Sequence, residues 1–204
     1  NTSKIEISVK YSGRSYLELV SQPRFLQAVI SSAFGYAIMT FLMTGTPLSM
    51  HVMEGISLNK TSIVIQIHVA CMFLPSLIAG NLIKKIGHSK MMYAGVGLYC
   101  ITVIISLFDQ SFLNYMIALI FLGFGWNFLF ISGTSLLVLT YNEEEKFRAQ
   151  GFNDFLVYSV HALGSLSAGV LIVLTNWKIM NLICIPLIIV IILITLRADL
   201  LSKK

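Results

Sequence analysis

Apolar residues run almost unbroken through 25–50, 61–83, 91–108, 111–142, 155–175 and 179–196, and the charged residues collect in the short stretches between them. At about 1.5 Å per residue, an uncharged helix of roughly 20 residues crosses a hydrocarbon core of ~30 Å. Each run is free of Asp, Glu, Lys and Arg. The pattern therefore predicts an all-α membrane protein with six transmembrane helices. Residues 1–24 are polar and predict a cytoplasmic linker, with 15–20 as an alternative short interfacial helix and Pro23 opening the first span. The chain starts at Asn1 and lacks the apolar core of a signal peptide at that end, so an internal cut of a longer chain is expected.

Composition agrees with the pattern. Hydrophobic residues make up 56% of the chain and charged residues 11%, against about 25% charged in soluble domains. The net charge of +5 sits in loops and not along one face, which points to anionic lipid and away from nucleic acid. Cys71, Cys100 and Cys184 all fall inside apolar runs, where they read as small packing residues. Neither a metal nor a cofactor is predicted.

Charge also sets orientation. With both ends in the cytosol, Lys4, Lys10, Arg14, Arg24, Lys84, Lys85, Lys90, Lys146, Arg148, Arg197, Lys203 and Lys204 lie inside, leaving only Lys60 and Lys178 outside. Lys and Arg concentrate in short cytoplasmic loops, so a multi-pass protein of the plasma (inner) membrane with both termini cytoplasmic is expected. The turn Gly80-Asn81-Leu82-Ile83-Lys84-Lys85-Ile86-Gly87-His88-Ser89-Lys90 then joins the second and third spans on the inner side. Gly80 is expected where a helix end passes close to a neighbour, and Gly87 where the chain reverses in a conformation that favours glycine.

The chain also repeats itself. Ser76-Leu77-Ile78-Ala79-Gly80-Asn81-Leu82-Ile83 and Ser165-Leu166-Ser167-Ala168-Gly169-Val170-Leu171-Ile172 keep Ser, Leu, Ala, Gly, Leu and Ile in step. Three helices separate the copies, so they cross the membrane in opposite directions, the mark of a 3+3 inverted repeat.

The basic turn resembles the loop signature of the major facilitator superfamily, Gly-x-Leu-x-Asp-Arg-x-Gly-Arg-Lys. Gly80, Leu82, Lys85 and Gly87 fit, while Lys84 stands for the acidic residue and His88 for an Arg. Leu42-Met43-Thr44-Gly45-Thr46-Pro47-Leu48 and Arg148-Ala149-Gln150-Gly151-Phe152-Asn153-Asp154-Phe155 are similar to segments of the carboxy-terminal half of bacterial permeases of that family. The resemblance implies helices seven to twelve of a twelve-helix transporter, an amino-terminal six-helix half as partner, and transport by alternating access. It also implies a cytoplasmic gate in which Lys84, Lys85 and Lys90 face Glu143, Glu144 and Glu145, with Arg148 and Asp154 beside them.

Polarity sorts the helices independently. Runs 91–108 and 179–196 carry almost nothing polar at mid-depth and are expected to face lipid all round, whereas the other four need a protein or aqueous partner. Asp154, Tyr158, His161 and Ser165 form one stripe of the fifth helix, and Tyr36, Thr40, Met43, Thr44 and Pro47 one face of the first. The fourth offers Trp126, Asn127 and Thr134. Gln66 and His68, two positions apart, face different ways. The candidate substrate residues are thus Tyr36, Thr40, Met43, Gln66, Trp126, Asn127, Tyr158 and His161. Competing structural readings are back-bonding for Thr and Ser, interhelical packing for Met and Tyr, and a helix cap for Asp154. Such a wall suits a neutral or amphipathic organic solute. No span holds a carboxylate, so a coupling proton would have to use His68 or His161, or a group in the other half.

No enzyme is expected. The alternative from another class is an intramembrane serine protease, with Ser132 or Ser135 on one span and His161 on the next. A third possibility is a six-helix assembly protein that transports nothing.

Overall fold

The computed structural model describes residues 13–202, which form α-helices throughout and, among these residues, no strand. Helix α1 spans Tyr16–Ser21 and α2 spans Pro23–Pro47, the latter running on into a wide π-helical turn, Leu48–Met53. Next come α3 (Leu58–Phe73), α4 (Ser76–Ile86), α5 (His88–Ser106) and α6 (Phe112–Leu137). A 3₁₀ turn, Glu143–Glu145, leads into α7 (Lys146–Leu174), followed by α8 (Trp177–Ile183) and α9 (Ile185–Leu201). Five of the helical segments are long and apolar enough to cross a membrane, and the bent pair α3–α4, taken as one span, would make a sixth; two of these six candidate crossings are broken. Helices α3 and α4 meet at a 43° bend around Pro75, and α8 gives way to α9 at Cys184, just before Pro186. Proline explains both breaks, since it lacks the N–H that the helix ladder needs.

Three boundaries move. Residues 15–21 are not a solvated linker: the Ser15 side chain and Glu18 form a capping box that starts α1, and Leu19 is fully buried. Residues 1–12 lie outside the described part. The fourth crossing ends at Leu137 and not at 142, while the fifth starts at Lys146, nine residues before the apolar run does. Asp154 therefore lies two turns inside α7, so it caps nothing.

Helix α2 is the central element, packing on α6, α7 and α9. Small residues set the closest contacts. A Cβ on Gly133 of α6 would come within 2.7 Å of the Ala28 carbonyl and 2.9 Å of the Ser32 nitrogen, so only glycine permits this crossing. Gly87, at φ +88°, closes α4 and opens α5 in the conformation that favours glycine. Gly80 corrects its expectation, because nothing lies within 4 Å of where its side chain would be.

The expectation of lipid on all sides of the third and sixth spans also fails. Tyr99 of α5 is buried and donates to the Gly35 carbonyl of α2 at 2.6 Å, and Met91, Met92 and Val96 are buried with it. In α9, Ile188, Ile191, Thr195 and Ala198 are buried. Counting polar atoms missed this because apolar side chains bury as readily against protein as against lipid. The barest crossing is α7, which exposes Phe155, Tyr158, Leu163, Leu166, Val170 and Val173.

Candidate functional site

Four helices bring side chains to one aromatic cluster. Tyr36 and Thr40 are one turn apart on α2, Trp126 and Phe130 one turn apart on α6, so each pair shares a face. Helix α7 adds His161 and the end of α3 adds Phe73. Tyr36 lies at the centre, edge-on to Trp126 at 5.4 Å, to Phe130 at 5.5 Å and to His161 at 4.9 Å between ring centroids. Trp126 stacks on Phe130 at 5.0 Å and meets Phe73 edge-on at 5.8 Å. These spacings lie in the favourable range for aromatic pairs. The Thr40 hydroxyl and His161 Nδ1 share a hydrogen bond of 2.7 Å.

Burial grades across the cluster. Thr40 and Trp126 are buried, Tyr36, Phe130 and His161 half-buried, and Phe73 exposed. Trp126 Nε1 is a buried donor with no partner among the described residues. The cluster thus offers flat apolar faces, a tyrosine, an imidazole and an unused indole N–H, groups that suit a flat amphipathic molecule.

Of the predicted residues, the fold gathers Tyr36, Thr40, Trp126 and His161. Tyr158, one turn before His161 on the same face, is exposed. Met43 is half-buried and packs against the core, and Gln66 is exposed on α3. Asn127 is fully buried and its amide bonds the Met72 carbonyl and Ser76 Oγ, so its observed partners belong to the break between α3 and α4. His68 is also buried, with Nδ1 bonded to the Leu119 carbonyl at 2.8 Å. Phe73 and Phe130 were missed; the i, i+4 spacing of Phe130 from Trp126 was a usable signal. An apolar cleft of about 340 Å³ beside α2, lined by Phe34, Phe41, Leu163 and Leu187 among others, contains none of the predicted site residues.

The gate residues are arranged differently from the expectation. Glu145 is taken by Arg14: Arg14 Nε and its backbone N–H donate to Oε1 at 2.8 Å, and Nη2 donates to Oε2 at 2.6 Å and to the Thr140 carbonyl at 3.1 Å. These donors hold the Glu145 carboxyl at about 2, well below its ordinary value, and the same bond raises Arg14. Arg148 donates to the Arg14 carbonyl and lies over the Tyr16 ring at 5.6 Å. Lys84, Lys85, Glu143 and Glu144 are exposed, and Asp154 accepts from Asn153 at 3.2 Å. No described lysine of the basic turn pairs with a carboxylate.

A second polar cluster had no sequence signal, since its members are up to 178 residues apart. Arg24 of α2 donates to Asp199 of α9 at 2.9 Å and to Ser202 at 2.7 Å, and Asp199 also accepts from Ser89 at 2.6 Å and Tyr93 at 3.1 Å on α5. It ties three helix ends together.

The family model of the Major Facilitator Superfamily matches residues 24–203. The chain belongs to that superfamily. It is 37% identical over 177 residues to the riboflavin transporter RfnT of Brucella anthropi, a match covering 87% of this chain and 44% of that one. It is also 28% and 32% identical to two Bacillus subtilis proteins, the uncharacterized MFS-type transporters YddS and YdeG, over 89% and 72% of its length and 42% and 34% of theirs. The chain thus spans less than half the length of these curated relatives. Membership in this superfamily makes the chain a multi-pass membrane protein of a transporter family. The serine protease alternative has no support in the geometry, because His161 pairs with Thr40 while Ser135 donates to the Ser132 carbonyl at 3.3 Å.

Proposed function

We propose that this chain forms one six-helix bundle of a Major Facilitator transporter and that the Tyr36, Thr40, Trp126, His161 cluster is its half of a substrate wall for a flat, neutral or amphipathic solute. The observation that carries the reading is the meeting of four aromatic rings, one of them with a buried indole N–H that has no partner among the described residues, and an imidazole, from four different helices. The relative in Brucella anthropi is a riboflavin transporter, and riboflavin, a flat ring system with a polar chain, is the first candidate.

The partner is an amino-terminal six-helix half. Its docking face is the exposed side of α7, with Tyr158 and Asp154 lining the space between the halves. The two repeated segments support a 3+3 inverted repeat: Ala79 and Ala168 are both fully buried, and a side chain on Gly80 or Gly169 would meet open space. Twelve of the fourteen Lys and Arg residues put both termini in the cytosol. Alternating access then carries the solute between the halves, and His161, whose Nε2 bonds no described residue, is the candidate for proton coupling. Lys84, Lys85, Glu143, Glu144 and Arg148 line the cytoplasmic mouth.

The test joins the chain to the amino-terminal half of its Brucella anthropi relative and measures riboflavin uptake into vesicles, with other flat heteroaromatic solutes as competitors. Uptake that Tyr36→Ala and Trp126→Ala each weaken at least tenfold is the expected result. Uptake indifferent to both, from a fusion whose expression is normal, would remove the cluster from the substrate path.

A further inference from the structure

The second crossing contains a break that the fourth crossing holds together. In an unbroken helix the Ser76 N–H would bond the Met72 carbonyl, four residues back. Pro75 interrupts the ladder here: the Leu74 N–H bonds Ala70 at 2.9 Å, the Leu77 N–H bonds Leu74 at 3.3 Å, and the Ser76 N–H makes no backbone bond across the break. The Asn127 side-chain amide fills the gap, donating to the Met72 carbonyl at 2.7 Å and to Ser76 Oγ at 2.7 Å. Asn127 is fully buried, so this amide has no water to fall back on.

The two sides of the break are packed unequally. Helix α3 is seated firmly on α6: His68 bonds Leu119, and a side chain on Gly123 would come within 2.8 Å of the His68 carbonyl. Helix α4 is held lightly, by Ala79 and Ile83 against Met91, while Leu77 and Ile78 are exposed and Gly80 faces open space. It also carries Lys84 and Lys85 in its last turn, just before Gly87 joins it to α5.

We infer that α4 is a lever, that Leu74–Pro75 is its hinge, and that Asn127 is a positioning residue whose amide sets the lever's angle and touches no substrate. The role in transport rests on the function proposed above; the lever itself does not. An arm of 11 residues is about 16 Å long, so a swing of roughly 20° moves its basic tip by about 6 Å.

The experiment places spin labels on the full chain in lipid nanodiscs, one pair at Lys85 and Val138 across the lever tip and a reference pair at Lys60 and Leu113 across the outer ends of α3 and α6. Asn127→Ala should broaden the Lys85 to Val138 distance distribution or shift it by several ångströms and leave the reference pair unchanged. Ser76→Ala, the milder variant, should do the same to a smaller extent. Pro75→Ala returns an N–H to the ladder and should make the lever insensitive to Asn127→Ala. Unchanged distributions in both Asn127→Ala and Ser76→Ala would overturn the lever. Equal broadening of both pairs in Ser76→Ala would also overturn it, by making the bond a general packing contact. In the fusion with an amino-terminal half, Asn127→Ala should lower the maximal uptake rate and leave KM unchanged. A raised KM with normal distance distributions would return Asn127 to the substrate wall, whereas absent uptake with the lever signal intact would count against the transport reading alone.

Discussion

At the scale of single residues, the hydrogen bond between Thr40 and His161 engages Nδ1, so in the proposed substrate wall Nε2 is the imidazole nitrogen open to a solute. Thr40→Val removes that bond without changing the side chain's shape, and a bond of about 1.4 kcal/mol corresponds to a tenfold loss. The expected outcome is a roughly tenfold weaker riboflavin affinity in the fused transporter, with Thr40→Ser close to native. Quenching of Trp126 fluorescence in a Trp177→Phe background reads it directly; equal affinities for Val and Ser would exclude the bond from binding. Glu145 supplies a pH prediction. Its folded value is depressed to about 2, so the pairing with Arg14 contributes fully above the ordinary glutamate range near 4.5 and is lost as pH falls through 2. A spin label at Leu17 on α1 should stay immobile at neutral pH and gain mobility on going from about 4.5 to 2, while Glu145→Gln should make it mobile throughout.

Helices show most clearly which information was local and which was not. The six runs were legible because an uncharged stretch of that length has few alternatives, and the cluster residues Tyr36, Thr40, Trp126 and His161 were legible because polar groups at helical spacing share a face. The bend at Pro75 was written in the chain too, as a proline inside an apolar run. The role of Asn127 was not, because it depends on which carbonyl the break frees and which helix lies opposite. Arg24 and Asp199 meet only once α2, α5 and α9 have packed. Packing itself gives a test. Gly133→Ala would push a methyl against the α2 backbone at Ala28, which cannot move aside, and should destabilise the bundle by about 1–3 kcal/mol. Gly97→Ala, where nothing lies within 4 Å, should be neutral or slightly stabilising. Thermal unfolding of both in the same detergent compares them.

For the whole molecule, orientation and incompleteness are the two claims. Single cysteines at Ser89 and Glu144 should react only with reagents that reach the cytosol, and one at Asn59 only from outside; the reverse would invert the topology. The proposed incompleteness rests on α7, whose outer face is left bare by the described residues, and on relatives about twice as long. The most direct measurement compares riboflavin uptake by the chain reconstituted alone with uptake by the same chain joined to an amino-terminal half. The account predicts no saturable uptake from the chain alone and saturable uptake from the fusion; saturable uptake at similar rates by the 204 residues alone would contradict it.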